Sequence, residues 1–299
     1  MSTKTIQHQS SSGVLQKIQD YKMLVKLRLS LTVVFSSVMA FLIASNGNWT
    51  WLAVGVLALG GFLVTGAANA LNQVLEKDYD KLMTRTANRP LAAGRMTISE
   101  AVLAAGFMSM IGISLLAFFN PWAAFLGTLS LVFYAFVYTP MKRISPIAVF
   151  IGAIPGALPT MIGCVAIEGQ LTLLALCLFG LQFFWQFPHF WSIGWLGYED
   201  YSKAGYKLVP MRDGKMDDKE TGWQSLLCAL VLLPIGLLPY FTGVSGVVSA
   251  TLVTVLGLGY AAMAWRFYQK PARKTALGLM FYSFGYIPFS LILLFIDKI

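Results

Sequence analysis

An all-α, polytopic membrane protein with about nine transmembrane helices is the fold class this chain predicts, on three observations. Hydrophobic residues make up 57% of its 299 residues and charged residues 12%, about half the charged share of a soluble domain. The apolar residues fall in runs of about 20, the length of a bilayer-spanning helix and twice that of a barrel strand. Of the 22 Lys and Arg residues, 21 gather in alternate connections between those runs, as a membrane topology requires.

The elements follow in order. Residues 1–13 are Ser- and Gln-rich and read as a disordered tail. They contain no Arg and no apolar core, so they look like neither a secretory signal nor an Arg-rich transit peptide. In 14–26, Val14, Ile18, Tyr21 and Val25 recur at helical spacing beside Lys17, Lys22 and Lys26. That pattern predicts an amphipathic helix lying in the membrane interface. Spans are then expected near 24–46, 51–75, 97–119, 122–141, 145–167, 171–194, 223–241, 246–266 and 276–296. Residues 14–299 thus read as one transmembrane domain.

Charge sets the orientation. The N-terminal arm holds five Lys or Arg, 76–96 five, 142–143 two, 197–222 five and 266–274 four. The intervening connections hold none, which puts the N-terminus in the cytoplasm and the C-terminus outside. The formal net charge of +9 is therefore a field on one membrane face and not a nucleic-acid footprint. Cys164, Cys177 and Cys228 lie in apolar runs without paired spacing, which argues against a disulfide framework, a zinc site or covalent haem attachment. Neither G-x-x-x-x-G-K-[ST], H-E-x-x-H nor G-x-S-x-G occurs, disfavouring a P-loop nucleotide site, a metalloprotease and a serine hydrolase.

The richest stretch is 72–95, which carries three carboxylates and five basic residues directly after an apolar run. Asn72, Glu76 and Asp80 are four apart and share one helix face, while Asp78 points away. An amide and two carboxylates stacked in this way form a ladder of oxygen ligands suited to a hard cation such as Mg²⁺. The plainer reading is a solvated, charged helix end. A second polar connection, 197–222, holds Glu199, Asp200, Lys203, Lys207 and Arg212. Before it, Gln186 and His189 share a face beside Pro188, which is expected to break or kink its helix. Polar side chains inside a span usually face a cavity; the plainer reading of His189 is a structural histidine bonded to a neighbouring helix. Acidic metal ligands with cations nearby suit a diphosphate. Charges gathered at one face, and not at the bilayer midplane, disfavour a transporter.

These residues carry a resemblance. Asn72-x₃-Glu76-x₃-Asp80-x₄-Arg85-Thr86-x₂-Arg89-Pro90-Leu91 resembles the first aspartate-rich motif of the UbiA-type intramembrane prenyltransferases, with Glu76 in place of the first Asp. Trp185-Gln-Phe-Pro188-His189-Phe190, Asp200-Tyr201-x₂-Ala204-Gly205 and Tyr138-Thr-Pro-Met-Lys142-Arg143 are similar to motifs of the haem-farnesylating members. Leu27 stands where that subgroup usually has Pro, and the second D-x₃-D motif of the phenol-prenylating members is absent.

The resemblance implies about nine helices around a central cavity. It also implies transfer of farnesyl from farnesyl diphosphate to a vinyl group of haem B, giving haem O and diphosphate, with Mg²⁺ as the metal. Asn72, Glu76 and Asp80 would then be metal-binding and, with Arg85, catalytic. Arg89, Lys142, Arg143, Gln186, His189, Asp200 and Lys203 would bind substrates. The competing expectation is a prenyltransferase with an aromatic, lipoquinone-precursor acceptor. The setting implied is the inner (plasma) membrane with the active site on the cytoplasmic side. The downstream haem A synthase or oxidase-assembly proteins are the implied partners.

Overall fold

Length and polarity place the helix ends, and capping side chains fix them. The computed structural model describes residues 3–299, with side chains from Gly13 onward. Among the described residues nine helices are long and apolar enough to cross a membrane. After α1 (Thr3–Leu24) come α2 (Leu27–Ala44), α3 (Trp51–Asp80) and α4 (Ile98–Ala117). The fourth span is α5 (Pro121–Val132), a π turn (Phe133–Tyr138) and a last short turn, α6 (Thr139–Met141). Then follow α7 (Ala148–Glu168), α8 (Leu173–Leu196), the short α9 (Tyr198–Lys203), α10 (Asp218–Phe241), α11 (Val247–Gln269) and α12 (Arg273–Ile296). Thr50, Thr97, Asn120, Thr172 and Asp217 each accept a backbone N–H of the first turn that follows. These side chains satisfy donors that a helix start otherwise leaves orphaned.

α7 lies in the middle, most of it buried, and packs against α2, α5 and α8. Its contact with α2 is close enough that a β-carbon on Gly163 would land on the Ser37 carbonyl oxygen. Small residues permit such backbone approach, which drives helix association in lipid where hydrophobic burial cannot. α8 packs against α7, α10 and α12. Pro188 does not break α8, which runs through it to Leu196. The Tyr260 hydroxyl of α11 donates to the Trp185 carbonyl at 3.1 Å, the kind of neighbouring-helix bond that lets a spanning helix tolerate proline.

The helix expected over 14–26 is present as α1, drawn from Thr3 and so taking in most of the stretch expected to be a tail. Val14, Ile18 and Val25 help line an open, apolar recess of ≈ 700 Å³. α1 is also tied down by ion pairs. Lys17 pairs with Glu100 at 2.9 Å and Asp20 with Arg95 at 2.9 Å. The polar connection 197–222 contains α9 and a hairpin of β1 (Met211–Arg212) and β2 (Lys215–Met216). Asp213 and Gly214 both adopt positive φ, 52° and 76°, as a two-residue hairpin turn demands.

Gly163→Val should lower thermal stability in detergent by about 1–3 kcal/mol through overpacking, measurable as a fall in unfolding midpoint. Gly180→Val, whose nearest neighbour is a flexible Ile235 side chain, should lower it less.

Candidate active site

Carboxylates inside a membrane helix need partners; this chain brings them from two connections, and a third basic side chain meets the neighbouring amide. α3 stays helical through Asp80, so Asn72, Glu76 and Asp80 lie along about 12 Å of one face, all buried. Lys142, directly after α6, donates from Nζ to Glu76 Oε1 at 2.8 Å. Arg89, in the turns between α3 and α4, donates from Nη1 to both Asp80 oxygens at 2.8 Å and stands 3.9 Å from Glu76 Oε2. Lys26, between α1 and α2, donates from Nζ to Asn72 Oδ1 at 2.8 Å. Asn72 donates in turn to Thr139 Oγ1 at 3.0 Å. Every rung of the ladder therefore faces a basic side chain.

Local backbone choices deliver those cations. Lys26 is left-handed, with φ 47° and ψ 58°, a conformation that costs a non-glycine residue about 1–2 kcal/mol. The last carbonyls of α1 lack helical partners, and α3 supplies them. Gln73 donates to the Met23 and Leu24 carbonyls at 2.8 and 3.0 Å, and Asn69 to that of Val25 at 3.3 Å. At the other side, the π turn puts the Thr139 N–H on the Tyr134 carbonyl, five residues back. Such turns recur at functional sites; here Thr139 and Lys142 follow it directly.

Tyrosine faces surround the cations. Lys142 Nζ lies 4.6 Å from the Tyr138 ring centre and 5.7 Å from that of Tyr206. Lys26 Nζ is 5.8 Å from Tyr134. Such contacts strengthen when desolvated. Burial would depress the Lys142 ammonium, but the Glu76 carboxylate raises it above its usual value. Lys26 is pushed well below its usual value, first by burial and then by the Arg89 and Lys142 charges.

Not every expected site residue joins this cluster. Arg85 is exposed and donates to the Tyr201 hydroxyl, its guanidinium 4.9 Å from that ring's centre. Arg143 stacks on Tyr79 at 4.0 Å and is exposed as well. Asp200 accepts the Thr84 and Arg85 N–H groups at 2.9 and 3.3 Å, and Lys203 at 3.1 Å. The Thr84 bond above all, with Arg85 and Lys203, holds the Asp200 carboxyl down at about 2, so it clasps the α3–α4 and α8–α10 connections together throughout the neutral range. Asp78 points outward onto Lys81, as its spacing predicts.

Gln186 and His189 lie on α8 and turn to different neighbours. Gln186 donates to the Ala153 carbonyl of α7 at 3.1 Å, while His189 Nδ1 is 2.7 Å from Ser283 Oγ of α12. His189 also stacks on Trp185, ring centres 5.0 Å apart, and meets Phe284 edge-on. The bond to α12 is what the plainer reading of His189 expects. Sequence reasoning missed Lys26, Tyr134 and Tyr206 as members of the site. The three basic residues in 14–26 pointed to Lys26, but nothing local sends its side chain inward.

The donor set fits a hard divalent cation. Among the described residues no three His, Cys, Asp or Glu side chains form a complete metal site. Two carboxylates and an amide do suit Mg²⁺, which commonly takes one or two carboxylates from protein and the rest from phosphate and water.

A nine-span bundle with a carboxylate ladder facing cations at one end is the architecture of an intramembrane prenyltransferase. The chain belongs to the UbiA prenyltransferase family, whose profile matches residues 33–285. Its relatives include a protoheme IX farnesyltransferase of Cytophaga hutchinsonii, 43% identical over 95% of this chain and 99% of that one. Another is the protoheme IX farnesyltransferase of Flavobacterium johnsoniae, 42% identical over 93% of this chain and 94% of that one. The fold is also similar to a UbiA homolog from Archaeoglobus fulgidus bound to GPP and Mg²⁺, at a TM-score of 0.67 and 12% identity, covering 92% of this chain and 99% of that one.

The buried Lys142–Glu76 pair yields a double-mutant test. Lys142→Met leaves a carboxylate unpaired and should destabilise the protein by about 3–5 kcal/mol. Adding Glu76→Gln should recover most of that loss in thermal unfolding.

Proposed function

We propose that this enzyme transfers the farnesyl group of farnesyl diphosphate to a vinyl group of haem B, giving haem O and diphosphate. The observation that carries the reading is 43% identity to a protoheme IX farnesyltransferase over 95% of the chain. The buried, cation-faced ladder at Asn72, Glu76 and Asp80 supports it.

Asn72, Glu76 and Asp80 would hold Mg²⁺, which when bound neutralises charge on the diphosphate oxygens. Lys26, Lys142 and Arg89 stand within hydrogen-bonding distance of the same rungs. They turn to the diphosphate as it arrives and stabilise the negative charge that grows as the allylic C–O bond breaks. The vinyl group of haem B attacks the farnesyl cation, and water adds to the resulting carbocation and gives up a proton to the released diphosphate or to solvent, leaving a hydroxyl. Tyr138 and Tyr134 present electron-rich faces to cations at the site.

His189 is assigned to the acceptor side. It lies seven residues before the end of α8, about 10 Å into the span, and Asn72 lies at a similar depth below the end of α3. With Nδ1 occupied by Ser283, Nε2 is the nitrogen left for haem. Arg85, Arg143, Asp200 and Lys203 act through the loop clasp at the mouth, and Gln186 by seating α8 on α7.

Residues 14–299 work as one domain of a multi-pass protein in the plasma membrane. Positive charge in alternate connections supports an N-terminus and an active site on the cytoplasmic side. Its product passes within the bilayer to enzymes or assembly proteins that use haem O.

Incubation of purified protein with farnesyl diphosphate, Mg²⁺ and haem B should add one farnesyl and one hydroxyl to the haem, read by mass spectrometry. Unchanged haem in the presence of a folded protein would refute the assignment. Asp80→Asn should lower the rate by about 100-fold or more while leaving the protein folded. Near wild-type turnover in that variant would show that the ladder does not serve the reaction.

A further inference from the structure

Tyr206 lies in the α8–α10 connection, directly after Ala204-Gly205, and is not one of the positions singled out as a site residue. Its residue is only 6% exposed, and its hydroxyl has no hydrogen-bond partner. A buried, unpaired hydroxyl is costly and native structures retain few of them. This one stands beside the most highly charged cluster in the protein.

The ring cannot easily turn away. It packs with Met83 and Ala204 and against Tyr79 and Tyr201. Gly205, at φ 71°, turns the chain just before it. The Tyr206 N–H is bonded to the Tyr201 carbonyl at 3.0 Å, and the next residue's N–H to the Lys142 carbonyl at 2.7 Å. The ring thus lies against the Lys142 ammonium, opposite a second tyrosine, Tyr138.

Chemistry fixes the hydroxyl as a donor. A tyrosine hydroxyl carries its proton at neutral pH and can donate it. Glu76 is its near neighbour both by charge and as a potential acceptor, but the pair falls short of hydrogen-bond geometry. Among the ladder oxygens, Glu76 Oε1 and both Asp80 oxygens are engaged by Lys142 and Arg89, and Glu76 Oε2 stands 3.9 Å from Arg89 Nη1. A buried donor that no ladder oxygen accepts within hydrogen-bond geometry stands ready for an acceptor from outside.

We propose that Tyr206 is a substrate-binding residue whose hydroxyl donates to an oxygen of the diphosphate. The inference rests on the prenyltransferase reading and adds a direct ligand from the α8–α10 connection. In this arrangement the arriving diphosphate completes the orphaned bond, and the clasped connections are drawn onto the substrate.

The test compares wild type with Tyr206→Phe, using inorganic pyrophosphate with Mg²⁺ as the probe in calorimetry, together with steady-state farnesyl transfer. Loss of a hydrogen bond to a charged acceptor should weaken pyrophosphate binding by about 10- to 100-fold. The KM for farnesyl diphosphate should rise by a similar factor, with the KM for haem B unchanged. The substrate-free unfolding midpoint should stay level or rise, because the variant removes an unsatisfied hydroxyl. Equal pyrophosphate affinity in the two proteins would overturn the assignment while leaving the prenyltransferase reading intact. A lowered substrate-free midpoint, with haem and pyrophosphate affinities falling together, would make Tyr206 a packing residue and also overturn it. A wild-type protein that neither binds pyrophosphate nor transfers farnesyl would overturn both.

Discussion

A carboxylate at the depth of a membrane helix is tolerated only beside a cation, and Glu76 and Asp80 impose that requirement on the chain around them. Lys142 and Arg89 meet it from two different connections. Deep burial means that neither pair is a gift to stability, since desolvation offsets most of the Coulombic gain. What the pairs do is fix position. The connections after α3 and after α6 are held against α3 because each brings a cation that its carboxylates cannot do without. Lys26 in its left-handed turn, the π turn ahead of Lys142 and the turns around Arg89 are three backbone solutions to one electrostatic problem.

The same arrangement prepares the site for a substrate of high negative charge. Ladder oxygens and basic side chains are already desolvated and already in contact, so much of the cost of removing water from them is met on folding. A metal diphosphate brings one cation for the oxygens and several anions for the basic groups. The incoming charges exchange partners within the cluster and do not strip hydration from free side chains. Electrostatic preorganisation of this kind is usually the largest contribution to catalysis.

Much of the fold was legible because the signals are strong. Nine apolar runs and alternating loop charge locate the spans to within a few residues, and the ladder follows from four-residue spacing in one helix. α3 runs to Asp80, five residues beyond the end expected from its apolar run. Its last charged residues are buried and paired, so polarity marks the site there and not the helix end. The hairpin at Asp213–Gly214 carried a known turn signature that the surrounding charge obscured. Lys26 is different. Lysine has no preference for a left-handed turn; Asn69 and Gln73, more than forty residues away, impose it. Arg85 and Asp200 were read from motif position, and position alone does not show that their groups engage each other's loops.

The π turn bears on how related chains should be read. A helix that accommodates an extra residue between Phe133 and Tyr138 changes the phase of everything after it by about 100° relative to an unbroken α-helix. A gap-free comparison of this span with an unbroken helix therefore matches residues by number but not by direction. Tyr134, Thr139 and Lys142 point at one cluster only when that turn is counted. Insertion history, as much as residue identity, decides whether a lysine after the fourth span can serve the chemistry.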